Sequence, residues 1–258
     1  MPRFLARSEL PVSAAQALAW HARPAALERL LPPWQRVRVL ERTGDLEHGA
    51  RVVLALRAGP LPLRWEVLHG PMQAGRSIRA EQVRGPFARW VHEQHFIPRG
   101  DGACLLEDAL DYRLPLWPLG PLLGGAAARR TLERLFRLRH ARTAHDLARH
   151  AAWGEPPLTV AVSGASGLIG RRLCAFLAAG GHVVRRLVRR EAQGAEEIAW
   201  DPAAGRLAPE SLAGCDAVVH LAGANLAAGR WTAARKRELW TSRVESTALL
   251  ARALAALA

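Results

Sequence analysis

Apolar and polar positions follow two different periods along this chain, and the change falls near residue 155. Runs at 35–42, 50–58, 63–69, 76–83, 88–98 and 103–113 read as strands. Thr43-Gly44, Gly59-Pro60, Gly70-Pro71 and Gly100-Asp101-Gly102 separate them as turns. Arg3–Glu9 alternates as an earlier strand, and Pro11-Val12-Ser13 opens a helix. Pro24 stands where a first-turn proline starts another helix, followed by Ala25, Leu27, Leu30 and Leu31. After Gly124-Gly125 a long helix is predicted to about His150, with Leu132, Leu135, Phe136 and Leu147 on its apolar side.

The string WGEPPL at 153–158 breaks that helix and marks a join, giving expected domains at 1–152 and 157–258. Beyond it, Leu158–Ser163 reads as a buried parallel strand. Gly164 turns the chain sharply out of that strand, Gly167 removes a side chain where backbone must approach a pyrophosphate, and Gly170 allows close helix–strand packing. The next helix is predicted to bury Ile169, Leu173, Phe176 and Leu177, with Arg171 and Arg172 opposite and Gly180-Gly181 as its stop. His182–Val188 and Ala217–Leu221 read as further buried strands. Ala222-Gly223 ends the latter with small residues at the carboxyl edge of the sheet, where ligands of open α/β folds bind.

The spacing GxxGxxG is weak alone, but its place after a strand and before an amphipathic helix makes it a dinucleotide cradle. A P-loop is excluded because Arg171-Arg172 stands where Lys-Ser/Thr is needed, and G-A-S-G-L lacks the closing glycine of a nucleophile elbow. NAD enzymes place an acid about 20 residues past the glycines. Arg189 and Arg190 occupy that place here, which favours the 2′-phosphate of NADP, while Glu191 leaves NAD open. Two solvated surface arginines remain the alternative reading.

GASGLIGRRL, WDP, DAVVHLAGANLAAGRWTAARK and SRVESTALL, in that order over 158–257, resemble the N-terminal half of an atypical extended short-chain dehydrogenase/reductase. The resemblance is to the epimerase-like NADP-dependent oxidoreductase group. It implies that Gly164, Ser166, Gly167, Leu168 and Ile169 cradle the phosphates, that Arg189 meets the 2′-phosphate, and that Leu221, Ala222 and Gly223 line the nicotinamide-side ribose. Trp231, Lys236, Ser242 and Arg243 match the same signature without a role to carry over. The family works through a Tyr-x-x-x-Lys pair, whereas the single tyrosine here, Tyr112, precedes the glycine turn and the single lysine is Lys236. No catalytic residue is therefore assigned. The expectation is a fragment: an incomplete parallel Rossmann-type half lacking the family's C-terminal part, able to bind cofactor and open to self-association through its unfinished sheet.

EQVRGPFARWVHEQHFIP with LEDALDYRLPL resembles a START-like, polyketide-cyclase type of helix-grip domain, and the element order agrees. That implies an antiparallel sheet around a long helix and a small-molecule ligand. The alternative function is hydrophobic-ligand binding or carriage by this domain beside a non-functional Rossmann remnant. Trp90, His92, Gln94 and Phe96 share one strand face, as core or as cavity lining; His92 and His95 point to opposite faces, so no metal site is expected. Glu107 and Asp111 share a face without forming an acid/base couple.

The formal charge of +13 does not change this picture. The excess is spread along the chain, 23 basic against 15 acidic residues before position 157 and 13 against 8 after it. The densest arginine stretch, Arg129 to Arg142, matches no nucleic-acid motif, so no specific nucleic-acid partner is expected. Cys104, Cys174 and Cys215 are an odd, widely spaced set, of which Cys174 and Cys215 read as reduced structural thiols, and the first residues lack an apolar signal core. The apolar stretch 114–128 is interrupted by Pro115, Pro118, Gly120 and Pro121 and is too short for a bilayer span. A cytoplasmic protein is the resulting expectation.

Overall fold

The computed structural model describes residues 3–46, 48–58, 61–72, 76–115 and 119–257. The expected turn at Gly59-Pro60 and the position of Pro118 lie outside them. Two compact units emerge, Met1–Gly154 and Glu155–Ala258.

In the first unit, β1 (Arg3–Leu10) leads into α1 (Ala14–Ala22) and α2 (Pro24–Leu30). Ser13 and Gln16 form a reciprocal capping box on α1, and Pro24 supplies the first turn of α2. Six strands follow: β2 (Arg38–Asp45), β3 (Gly49–Ala58), β4 (Leu61–His69), β5 (Ser77–Arg84), β6 (Arg89–Pro98) and β7 (Cys104–Arg113). They join β1 in one antiparallel sheet ordered β1-β7-β6-β5-β4-β3-β2. β2 starts three residues later than the alternation suggests, because Gln35 N bonds Pro32 O and holds 32–35 as a turn.

The long helix α3 (Leu119–Trp153) starts ahead of Gly124-Gly125, contrary to expectation. Pro121 falls in its first turn, where a missing N–H costs nothing, so the apolar segment becomes helix instead of breaking it. Its buried stripe is Leu132, Phe136, His140, Thr143, Asp146 and Leu147. Leu132 and Phe136 pack with Phe4, Trp90, Leu110 and Tyr112 of the sheet. The stripe turns polar toward the helix C-terminus, and Asp146 is fully buried in a two-pronged ion pair with Arg29 of α2, at 2.6 and 2.7 Å.

The second unit contains β8 (Thr159–Ser163), α4 (Leu168–Gly180), β9 (Val183–Val188), β10 (Glu197–Ala199), a 3-10 turn at Pro209–Leu212, β11 (Ala217–His220) and α5 (Ala233–Ala255). The four strands are parallel in the order β10-β9-β8-β11. β10 is too short for its alternation to be read from sequence. Ala161, Leu187, Ile198, Trp200 and Leu212 form the core with Leu249, Leu250 and Ala253 of α5. Gly181, in the left-handed region at φ 95°, ends α4 as its composition predicts. Ile169 does not join the buried face of α4: it is 67% exposed, and Gly170, Ala175 and Ala179 are buried instead. The helix begins at Leu168, so Ile169 lies in a first turn that overhangs the strand ends. The chain is thus an α+β antiparallel unit followed by a parallel α/β unit.

Candidate functional site

The strand order of the second unit reverses between β8 and β11, and at such a switch point the two strand ends diverge and leave a crevice. Gly164 leaves β8 with φ 66°, a conformation that L side chains rarely adopt. A Cβ on Gly164 would lie 2.6 Å from the Leu221 carbonyl carbon and 2.7 Å from the Ala222 nitrogen. The glycine turn and the end of β11 therefore touch backbone to backbone. A Cβ on Gly170 would lie 2.2 Å from the Gly164 oxygen, so this glycine packs α4 against the turn itself. Gly167 differs from both: its backbone is ordinary (φ −72°, ψ 175°) and a Cβ there meets only the Gly164 oxygen, at 3.1 Å. Steric packing forbids a side chain at Gly164 and Gly170 outright, whereas at Gly167 it presses one backbone oxygen less closely and leaves the N-cap side open.

Gly167 is the N-cap of α4 and has no side chain to satisfy the first amides. Arg171 N is the first to reach back along the helix, to Gly167 O. The N–H groups of Leu168, Ile169 and Gly170 are thus the orphan donors of a helix start. Ser166, Gly167, Leu168 and Ile169 are all exposed around them. Such a cluster, with the positive end of the helix dipole behind it, takes an anion. Its open glycine and exposed donors fit the phosphates of a dinucleotide.

The other wall is the loop after β11, and here α5 supplies a clamp. Ser163 Oγ accepts from Leu221 N and Ala222 N at 3.1 and 3.2 Å and meets His220 Nδ1 at 2.5 Å. His220 Nε2 meets Ser246 Oγ of α5 at 2.8 Å. Burial lowers the His220 pKa from its ordinary value, favouring neutral imidazole. Further along, Ala224 N donates to Ser242 Oγ, and Arg243 donates to Leu239 O and Ala224 O. A Cβ on Gly223 would lie 3.2 Å from the Arg243 guanidinium carbon. Arg235 donates to Asn225 O, and Trp231 Nε1 donates to Leu226 O. Ser242, Arg243 and Trp231 of the signature thus hold the loop that carries Leu221, Ala222 and Gly223. Lys236 is an exposed residue near the start of α5.

Arg189 and Arg190 differ in their surroundings. Ser163 pairs with Leu187, which puts both just beyond β9 on the same carboxyl edge as Gly164. Arg190 is engaged by Glu197 through paired bonds at 2.8 and 2.7 Å and by Glu191 O. Arg189 is exposed beside it.

The first unit buries a polar cluster that sequence reasoning did not find. Asp108, 2% exposed, accepts from His92 Nε2 at 2.6 Å and His140 Nε2 at 2.7 Å, and His140 Nδ1 meets Ser8 Oγ at 2.7 Å. Burial alone would raise the Asp108 carboxyl, but the bonds from His140 and His92 hold it well below the usual carboxylate range. Burial pushes His21 down to about 4, against an opposing bond to Ala17 O. His69, also desolvated, falls to about 4, and its Nδ1 has no partner among the described residues. His92 thus turns into a hydrogen-bonded network around the buried Asp108. Trp90 and Phe96, its companions on that face, are core. Tyr112 is buried in β7 beside Phe87. Among the described residues, no group of three or more His, Cys, Asp or Glu is arranged to hold a metal, and no helix is long and apolar enough to cross a membrane.

Comparison with known proteins matches both units. Residues 10–137 match the family described as polyketide cyclase/dehydrase and lipid transport, and 160–258 match the NAD dependent epimerase/dehydratase family. An epimerase family protein of Mycobacterium bovis is 46% identical over 96 residues, covering 37% of this chain and 32% of the relative. The bovine (Bos taurus) epimerase family protein SDR39U1 is 41% identical over 100 residues, covering 38% and 32%. The crystal structure of a nucleoside-diphosphate sugar epimerase from Corynebacterium glutamicum superposes with a TM-score of 0.71 at 30% identity. That match covers 98% of this chain and 51% of the other. The chain spans about a third of the length of the curated relatives it matches. The chain thus joins a region that matches the polyketide cyclase/dehydrase and lipid transport family to one that matches the NAD dependent epimerase/dehydratase family.

Proposed function

We propose that the second unit binds a nicotinamide dinucleotide at the β8–β11 switch point and prefers NADP to NAD. The observation that carries this reading is the start of α4, where an N-cap glycine without a side chain leaves the first helical amides without a cap beside the exposed residues 166–169. The phosphates would lie against the N–H groups of Leu168, Ile169 and Gly170, with Gly164 and Ser166 forming the turn. Leu221, Ala222 and Gly223 would line the ribose on the nicotinamide side. Arg189 would meet the 2′-phosphate, because its neighbour Arg190 is already occupied by Glu197. The bound cofactor would supply hydride chemistry for an oxidoreductase or epimerase; the residues present would hold and orient it. No residue of the chain is assigned the acid/base role of the family. Isothermal titration with NADP+ and NAD+ tests the reading. NADP+ should bind more tightly, and Arg189→Ala should reduce the preference about tenfold, the loss of one charge-assisted contact. Equal affinity for both nucleotides in the parent chain would remove the NADP preference, and no binding of either would remove the site.

A second reading concerns the first unit and rests on its match to the polyketide cyclase/dehydrase and lipid transport family. We infer that this domain binds a small organic molecule. An apolar fluorescent dye should bind the chain with saturation, and absence of saturable binding would argue against it.

A further inference from the structure

The hydrogen bonds around His220 have a direction that follows from counting donors. Ser163 Oγ already accepts from two amides, so its own proton is left for His220 Nδ1. Ser246 Oγ donates to Ser242 O at 2.8 Å, so toward His220 it accepts from Nε2–H. The chain of bonds is complete only for a neutral imidazole carrying its proton on Nε2. A second proton on Nδ1 would face a serine oxygen that is fully used, and Ser163 Oγ would have to release an amide: that of Ala222, or that of Leu221, which Ser163 O also accepts at 3.2 Å. The groups facing the ring are Ser163 from β8, Ser246 from α5 and the indole of Trp200, edge-on with centroids 5.9 Å apart. The clamp's charged residue on the same helix is Arg243, which is engaged with Leu239 O and Ala224 O.

We propose that neutral His220 is a positioning residue for the nicotinamide nucleotide. It locks the loop at Leu221–Ala224 to β8 through Ser163 and to α5 through Ser246, and protonation of the ring unlocks that wall and weakens binding. The proposal rests on the dinucleotide reading above. It adds that the affinity of the site is set by a side chain that touches the loop and not the cofactor.

The test compares NADP+ affinity from pH 5 to 8 in the parent chain and in His220→Gln, which cannot titrate. The 2′-phosphate changes charge in the same range, but equally for both proteins. Parent affinity should fall about five- to tenfold further than that of the variant, as expected for one broken hydrogen bond. Hydrogen exchange on the cofactor-free parent supplies an independent readout. The Ala222 amide should lose protection in step with titration of the His220 ring followed by NMR, while Leu221, which also donates to Ser163 O, and Ala161 and Val162 of β8 keep theirs. Parallel affinity profiles, or an Ala222 amide indifferent to the ring's titration, would overturn the proposal and leave the dinucleotide site standing. Failure of NADP+ to bind at any pH would remove that site and the proposal with it.

Discussion

Three glycines that look equivalent in the sequence have different reasons to be glycine. Gly164 needs its positive φ and backbone contact with Leu221; Gly170 needs its close contact with the Gly164 oxygen; Gly167 has an ordinary φ and a looser approach to that same oxygen. Gly170→Ala should therefore destabilise the second unit by about 3 kcal/mol or more, since backbone must move to admit the methyl group. Gly167→Ala should cost less than about 1 kcal/mol yet weaken NADP+ about tenfold, because the methyl would stand where phosphate approaches. Thermal unfolding beside nucleotide titration separates the two, and equal losses in both variants would refute the distinction. Titration is the other residue-scale consequence. His21 is neutral in the folded chain, with a pKa near 4 against 6.5 ordinarily, so its contribution is complete above pH 6.5 and is lost as pH falls toward 4. That amounts to roughly 3 kcal/mol. Asp108, shifted down, adds stability that is lost only in stronger acid. The melting temperature should drop between pH 7.5 and 4.5, and His21→Leu should flatten the drop. The glycine triad was legible as a pattern because each role is local. Asp108 was not, because its partners at 92 and 140 come from other elements and no period along β7 reveals them.

At the scale of elements, the strands of both sheets except β10 were legible because alternation, apolar runs and glycine turns are written into short windows. The starts of α3 and α4 were less so. A proline inside an apolar segment reads as an interruption, yet in a first turn it is compatible with helix, and Pro121 lies there. Ile169 fits the helical period but falls in the overhanging turn, where there is nothing to pack against. The clamp from α5 was visible only as a signature, since its bonds join β8, β11 and α5 across 26 and 57 positions. In the first unit the corresponding device is Asp146, which ties α3 to α2 through Arg29. Asp146→Ala would strip a largely buried guanidinium of its two-pronged carboxylate and should cost about 3 kcal/mol, whereas replacing both partners with apolar residues should restore much of it. Urea denaturation of the single and double variants measures this. An additive double variant would show that the pair carries no coupling.

At the scale of the whole molecule, charge behaves as a property of the chain and not of a site. Many arginines are matched locally, as in Arg7–Glu107, Arg51–Glu66 and Arg190–Glu197, yet the formal excess remains +13. The protein should be retained by a polyanionic resin at low ionic strength and released by moderate salt, with no preference among nucleic-acid sequences. Retention that persists in high salt, or that discriminates sequences, would contradict a diffuse field. The contact between Gly164 and Leu221 carries a different kind of consequence, one of timing. Synthesis delivers the glycine turn well before the strand whose end it must touch, because Ser163 and His220 stand 57 positions apart. Until β11 has emerged and paired, the turn has no backbone to rest on and Ser163 has neither of its amides. The proposed phosphate cradle would thus be a late product of folding on the ribosome. A nascent chain stalled before residue 217 would hold every glycine of the motif and still be unable to grip a nucleotide.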